Sequence, residues 1–232
     1  MQISGSIALV TGANRGLGKQ FATDLLARGA TKVYATARRP DLIDIPGVVP
    51  LQLDVTVPAS IAAAAEAAAD VTLLVNNAGI ATGHNLITGD LTEIRRELDT
   101  HFFGTLNMIR AFAPTLPGGA ILNVLSALSW FSYDGSNAYA AAKAAAWSLT
   151  NGVRLELAAQ QTQVTGLHLG MADTDMAAGY QGPKTAPAAI VAAALDGLEA
   201  GAAEVLADDW SRQVKASLAH DPAVFYAAMT AS

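Results

Sequence analysis

The chain of 232 residues has no cysteine, so disulfides, thiolate metal sites and a cysteine nucleophile are excluded, as suits a reducing compartment. Charge is sparse at 15 % and aromatics are few at 6 %. Acidic residues outnumber basic ones, for a net charge of −6, which argues against a nucleic acid partner because phosphate binding calls for clustered Lys and Arg. Mean hydropathy is positive at +0.32. Even so, no apolar run approaches the roughly 20 residues of a membrane span. Much of the apolar content is alanine, as in Ile61–Ala69, and Glu66 interrupts that run. Met1–Ser6 has no basic stretch followed by an apolar one, so no signal peptide and a cytoplasmic location are expected.

What is present is a large capacity for burial: 52 % of the residues are hydrophobic. Short runs rich in Val, Ile and Leu read as buried strands at Ile7–Val10, Lys32–Thr36, Val49–Leu53, Thr72–Val75, Ala120–Val124, Gln163–Leu169 and Glu204–Ala207. Between them, helical patterns cover Gly18–Ala27, Ala59–Ala69, Thr92–Phe112, Ala138–Ala159 and Ala186–Glu199. This alternation predicts an α/β fold, a doubly wound parallel sheet with helices on both faces. No linker or repeat divides the chain, so residues 1–232 are expected to form one domain. Arg39–Gly47, with Pro40 and Pro46, reads as a loop, and 171–184, with Gly179, Gly182 and Pro183, as a flap over a site.

The first strand runs directly into Thr11-Gly12-Ala13-Asn14-Arg15-Gly16-Leu17-Gly18 and then a helix. Glycines at a strand-to-helix turn let backbone N–H groups approach a pyrophosphate at the helix start. The spacing is G-x-x-x-G-x-G, unlike the G-x-G-x-x-G of the general dinucleotide fingerprint. The second strand ends in Thr36-Ala37-Arg38-Arg39, with no carboxylate for a ribose 2′-hydroxyl. Arg38 there suits a 2′-phosphate, with Arg15 as a second clamp, so NADP(H) is the expected cofactor rather than NAD(H).

Tyr139 and Lys143 lie at i and i+4 on one helix and share a face. A phenol titrates near pH ~10, and a neighbouring ammonium favours the phenolate, easing proton exchange with a carbonyl or alcohol oxygen. Ser126, at the end of the Ala120–Val124 strand, can hydrogen-bond the same oxygen. A Tyr and a Lys four apart, or a lone Ser after a strand, would be unremarkable alone; the glycine turn and Asn76-Asn77-Ala78-Gly79 give them meaning.

In this order, the Thr11–Gly18 turn, Leu53-Asp54-Val55, Asn76-Asn77-Ala78-Gly79, Ser126, Tyr139-x-x-x-Lys143 and Thr174 resemble the short-chain dehydrogenase/reductase family over nearly the whole chain. The resemblance implies a single Rossmann-like domain with a sheet of about seven parallel strands, and hydride transfer between a nicotinamide and a carbonyl or alcohol. By the same resemblance, Gly12, Asn14, Arg15, Gly16, Leu17 and Gly18 hold the cofactor phosphates. Asp54 and Val55 meet the adenine, and Asn77, Ala78 and Gly79 line its ribose, with Asn76 structural. Lys143 binds the nicotinamide ribose, and Ala172 and Thr174 contact the carboxamide end. Asp54 reads equally well as a turn or helix-capping residue.

Two positions depart from the family pattern. His101 stands where the family has an Asn whose backbone carbonyl holds a water behind the Lys; it is either a further member of the proton relay or a helix histidine with a satisfied hydrogen bond. Leu169-Gly170-Met171 replaces the usual Pro-Gly, freeing φ at the start of the flap. Candidates for the substrate pocket are Leu128, Trp130, Phe131, Tyr133, His84, Met171, Met176 and Tyr180, a set that favours apolar ketones or secondary alcohols. For Leu128 and Trp130, core packing is the alternative. Small and apolar residues on Thr92–Phe112 and Ala138–Ala159 suggest a homodimer or homotetramer. Two other readings stay open: a cofactor-binding regulatory protein without turnover, and a nucleotide-sugar epimerase or dehydratase, for whose extra domain the chain leaves little room.

Overall fold

The computed structural model describes residues 1–230. Strand β1 (Ile7–Val10) lies in the middle of a seven-stranded, all-parallel sheet with β2 (Lys32–Ala37), β3 (Val49–Gln52), β4 (Leu73–Asn76), β5 (Ala120–Val124), β6 (Gln163–His168) and β7 (Glu204–Leu206). The spatial order is β3-β2-β1-β4-β5-β6-β7. Connections run one way from β1 to β3 and the other way from β4 to β7, so a crevice opens at the carboxyl ends of β1 and β4, where ligands bind in such sheets.

Side chains alternate across each strand and build two apolar layers. Ala8 and Val10 of β1 face Phe21 and Leu25 of α1 (Gly16–Ala27) and Ile190 and Leu195 of α6 (Pro187–Glu199). Leu9 points to the other face, which packs on Ile61 of α2 (Pro58–Ala67), Met108 and Phe112 of α4 (Thr105–Phe112) and Val153 of α5 (Asn137–Glu156). Pro50 is tolerated in β3 because that strand is at the sheet edge.

The expected helix Thr92–Phe112 is broken into three parts: α3 (Leu91–Leu98), a π-helical stretch at Asp99–Gly104, and α4. Gly104 allows this wide turn to press on β3's continuation, since a Cβ there would lie 3.1 Å from the Val55 carbonyl oxygen. The stretch carries Thr100 and His101 inward, and both are buried. Two further helices, α7 (Asp209–Ser217) and α8 (Pro222–Thr230), escaped the sequence reading because α7 is polar and buries only Ser211 and Val214. No helix of the described residues is long and apolar enough to cross a membrane.

Helix α7 is tied through its cap to Gly170, just before the 171–184 segment. Asp208 Oδ1 accepts the Ser211 N–H at 2.7 Å, and its Oδ2 accepts the Gly170 N–H at 2.6 Å. Leu169, in the place of the family's proline, is buried in the α1/α6 layer. The segment after Gly170 is closed at its base: the Thr185 N–H donates to the Met171 carbonyl at 2.8 Å and the Asp173 N–H to the Thr185 carbonyl at 2.9 Å. Asp208→Ala removes a cap and a loop anchor together and is expected to cost about 1–3 kcal/mol, read as a lower urea midpoint at unchanged slope.

Candidate functional site

The glycine turn is braced from below by β4. The Thr11 hydroxyl oxygen accepts the N–H groups of Asn77 and Ala78, both at 2.9 Å. The Asn77 amide donates to the carbonyls of Thr11 at 2.8 Å and Gly12 at 3.3 Å. Asn77 is therefore a builder of the turn as well as part of its wall. Gly16 holds φ +55°, and at Gly18 a Cβ would lie 2.2 Å from the Gly12 oxygen, which excludes any side chain. Helix α1 starts with neither a side-chain cap nor an acidic residue in its first turn. Its free N–H groups and positive dipole end are left for an anion from outside the chain.

A cavity of about 970 Å³ extends from this turn. Every residue named from the sequence for the cofactor and the catalytic group lines it, from Gly12 and Arg38 at one end to Tyr139, Lys143 and Thr174 at the other. At the turn end, Arg15 lies 3.5 Å from Asp175 and Arg39 3.6 Å from Asp41. Asp54 serves a turn: its Oδ1 accepts the N–H of Thr56 at 2.9 Å and the hydroxyl at 2.6 Å, while the residue still borders the cavity. Arg96 of α3 and Asp99 and Thr100 of the π-helical stretch also line the space and were not foreseen.

At the far end Ser126 follows β5, and Tyr139 and Lys143 rise from the first turns of α5. The Ser126 Oγ accepts the Leu128 N–H at 3.1 Å and lines the same cavity as the Tyr139 phenol. The Lys143 ammonium donates to the Val124 carbonyl at 2.8 Å and stands 5.5 Å from the Tyr139 ring centre. Burial pushes the Lys143 pKa down to about 8, opposed by the charge of Glu97. The Tyr139 phenol is pushed well above its ordinary value, first by burial and then by Glu97, with the nearby Ser126 hydroxyl acting the other way. The expected lowering of the phenol by Lys143 is thus absent from this state, and desolvation governs instead.

His101 fills space that Gly79 leaves open, since a Cβ at 79 would come within 2.6 Å of His101 Cε1. Its ring meets Tyr139 edge to face at 5.1 Å. Behind Ser126, and not foreseen, His168 Nδ1 donates to the Ser126 carbonyl at 3.1 Å and stacks on Trp130 at 3.8 Å. Lys215 caps Trp130 at 4.6 Å and pairs with Glu204 at 2.7 Å. Burial lowers His168 to about 4, leaving it neutral near pH 7. Trp130 and Phe131 are consequently core residues, Phe131 packing on Phe225 of α8. Neither they nor Tyr133, Tyr180 and His84 line the cavity, whereas Leu128, Met171 and Met176 do. Among the described residues no group of three or more His, Asp or Glu could hold a metal ion.

Comparison with known proteins agrees with this geometry. The sequence profile of short chain dehydrogenases matches residues 6–184. A short chain dehydrogenase from Burkholderia cenocepacia J2315, solved in complex with NADP, is 41 % identical, superimposes with a TM-score of 0.94, and is covered over 98 % of both chains. The trans-4-hydroxycyclohexanecarboxylate dehydrogenase of Sinomonas cyclohexanicum is 30 % identical over 78 % of this chain and 77 % of its own. The 3-oxoacyl-[acyl-carrier-protein] reductase of Vibrio cholerae serotype O1 is 34 % identical over 76 % of this chain and 77 % of its own. With its parallel sheet, glycine turn and Ser–Tyr–Lys group, the chain belongs to the short-chain dehydrogenase/reductase family.

Proposed function

We propose that this protein is an NADP(H)-dependent oxidoreductase that interconverts a ketone or aldehyde and the corresponding alcohol, with Tyr139 as general acid and base. The observation that carries the reading is the convergence of Ser126, Tyr139 and Lys143 in the same cavity as the glycine turn. That cavity suits a dinucleotide on physical grounds. Gly18 leaves no room for a side chain, α1 offers uncapped N–H groups, and Arg38 makes no ion pair with any described residue. The Burkholderia relative is solved with NADP, which supports the phosphorylated form.

A bound nicotinamide supplies or takes up the hydride at the reacting carbon. Ser126 and Tyr139 hold the substrate oxygen between hydroxyl and phenol, and Tyr139 delivers its proton as negative charge develops there. The raised phenol keeps that proton at neutral pH, so the resting site is loaded for reduction. Lys143 supplies positive charge beside the phenol as the proton leaves. The residues facing the substrate end include Leu128, Met171 and Met176, which favour an apolar substrate, and residues 171–184 act as the flap over it. The two named relatives, a hydroxyacid dehydrogenase and an oxoacyl reductase, act on hydroxyl or oxo groups.

Tyr139→Phe is expected to lower carbonyl-dependent NADPH oxidation by at least about 10²-fold while NADPH binding persists. Unchanged turnover in that variant would remove Tyr139 from the mechanism, and tight binding without turnover in the unaltered protein would favour a regulatory role. Arg38→Asp should weaken NADPH about tenfold or more relative to NADH, by calorimetry, through repulsion of the 2′-phosphate. With Lys143 titrating at about 8, the ammonium is present below that pH and lost above it, so kcat/KM for reduction should be level below about pH 8 and fall above it. Exposed Phe103 and Leu155 fit a homodimer or homotetramer, and a monomer by light scattering would contradict it.

A further inference from the structure

We propose that Glu97 and His101 form a positioning pair that holds the Tyr139 ring and sets a fixed negative charge behind it, biasing the site toward giving a proton rather than taking one. The inference rests on the oxidoreductase reading above and adds to it a device in this chain's own wall.

Glu97, near the end of α3, is fully buried. Its Oε1 accepts the Thr82 N–H at 2.7 Å. Its Oε2 lies 3.2 Å from His101 Nε2, in contact but without an aligned hydrogen bond to any described residue. The same His101 nitrogen is 2.8 Å from the Ile80 carbonyl oxygen. Two acceptors crowd that nitrogen, the carbonyl at 2.8 Å and the carboxylate at 3.2 Å, and they are closer than the one donor, the Ile80 N–H at 3.4 Å, which assigns the proton to Nε2. The imidazole is buried, fits against Gly79, and turns its edge to Tyr139 at 5.1 Å. A fixed line therefore runs from the Thr82 amide through carboxylate and imidazole to the phenol ring. An Asn side chain at 101 is too short to span that line.

A buried carboxylate needs donors, and this one has a single backbone N–H and a neutral imidazole. Burial works against the charge, but the Thr82 N–H and His101 together hold the carboxyl below its ordinary value, so the charge persists and reaches its neighbours through a medium of low dielectric. The titratable groups facing it are His101, Tyr139 and Lys143. Toward Tyr139 it opposes the phenolate, and toward Lys143 it favours the ammonium. Burial and the charge of Lys143 keep His101 neutral, so the pair adds one negative charge and no positive one. Protonated phenol and charged ammonium together are the state that donates a proton.

The test follows Tyr139 in the cofactor-free protein labelled with ¹³Cζ-tyrosine, its signal assigned by loss in Tyr139→Phe. In Glu97→Gln the signal should ionise at a pH lower than in the unaltered protein by at least about one unit. Glu97→Asp, which keeps the charge, should stay near the unaltered value. The rising limb of kcat/KM for alcohol oxidation should move to lower pH in step with the signal, whereas a purely packing role would reduce kcat without moving the limb. Should Glu97→Gln not fold, His101→Asn carries the test: without the ring N–H the carboxylate takes up a proton, and Tyr139 should again ionise earlier. An unmoved Tyr139 signal in the folded variant, or Glu97→Asp behaving as Glu97→Gln, overturns the pair. Absence of turnover with the signal shifted would instead count against the oxidoreductase reading alone.

Discussion

The Thr11–Asn77 brace is the interaction on which the rest of the site depends. Where the strand order reverses between β1 and β4, two neighbouring strands send their chains to opposite sides and leave polar backbone facing a crevice. Buried backbone groups must be paired. Thr11 answers this by accepting two N–H groups with one hydroxyl, and Asn77 by donating to two carbonyls on the turn. The turn is held at its base while the N–H groups at the start of α1 stay uncommitted. A rigid cradle with free donors results from tying the turn down at Thr11 and Asn77.

Desolvation plays the matching part at the other end of the cavity. Lys143 and Tyr139 are both buried deeply enough that the cost of charge outweighs their mutual attraction, so the ammonium is weakened and the phenol strengthened. Support comes from two sides. Glu97 and His101 stand behind the phenol, and His168, stacked on Trp130, holds the Ser126 carbonyl from beneath the strand. The Lys215–Glu204 pair and α8 close that second cluster, so the terminal helices contribute to the position of Ser126 although they lie outside the cavity.

Much of this was legible along the chain. Short apolar-rich runs such as Thr72–Val75 and Ala120–Val124 announced buried strands, and the glycine turn announced a backbone that must come close to something. Ser126, Tyr139 and Lys143 could be paired through helical spacing and strand ends. The aromatic residues after Ser126 were misjudged for a physical reason: whether Trp130 faces a pocket or a core depends on α7 and α8, whose polar or short sequences carry little periodic signal. Glu97 was silent for a similar reason. A charged residue on an amphipathic helix ordinarily faces water, and only the π-helical turn beside it brings His101 round to meet it.

The sequence by itself determined the alternation of strands and helices, the place of the cradle and the Ser–Tyr–Lys group proposed to handle the proton, because these follow from periodicity, glycine sterics and spacing within one element. Tertiary structure alone decided the protonation state of that group. It rests on how far each charge is removed from water and which distant carboxylate it meets, and both are set by the packing of α3, α5 and the sheet against one another.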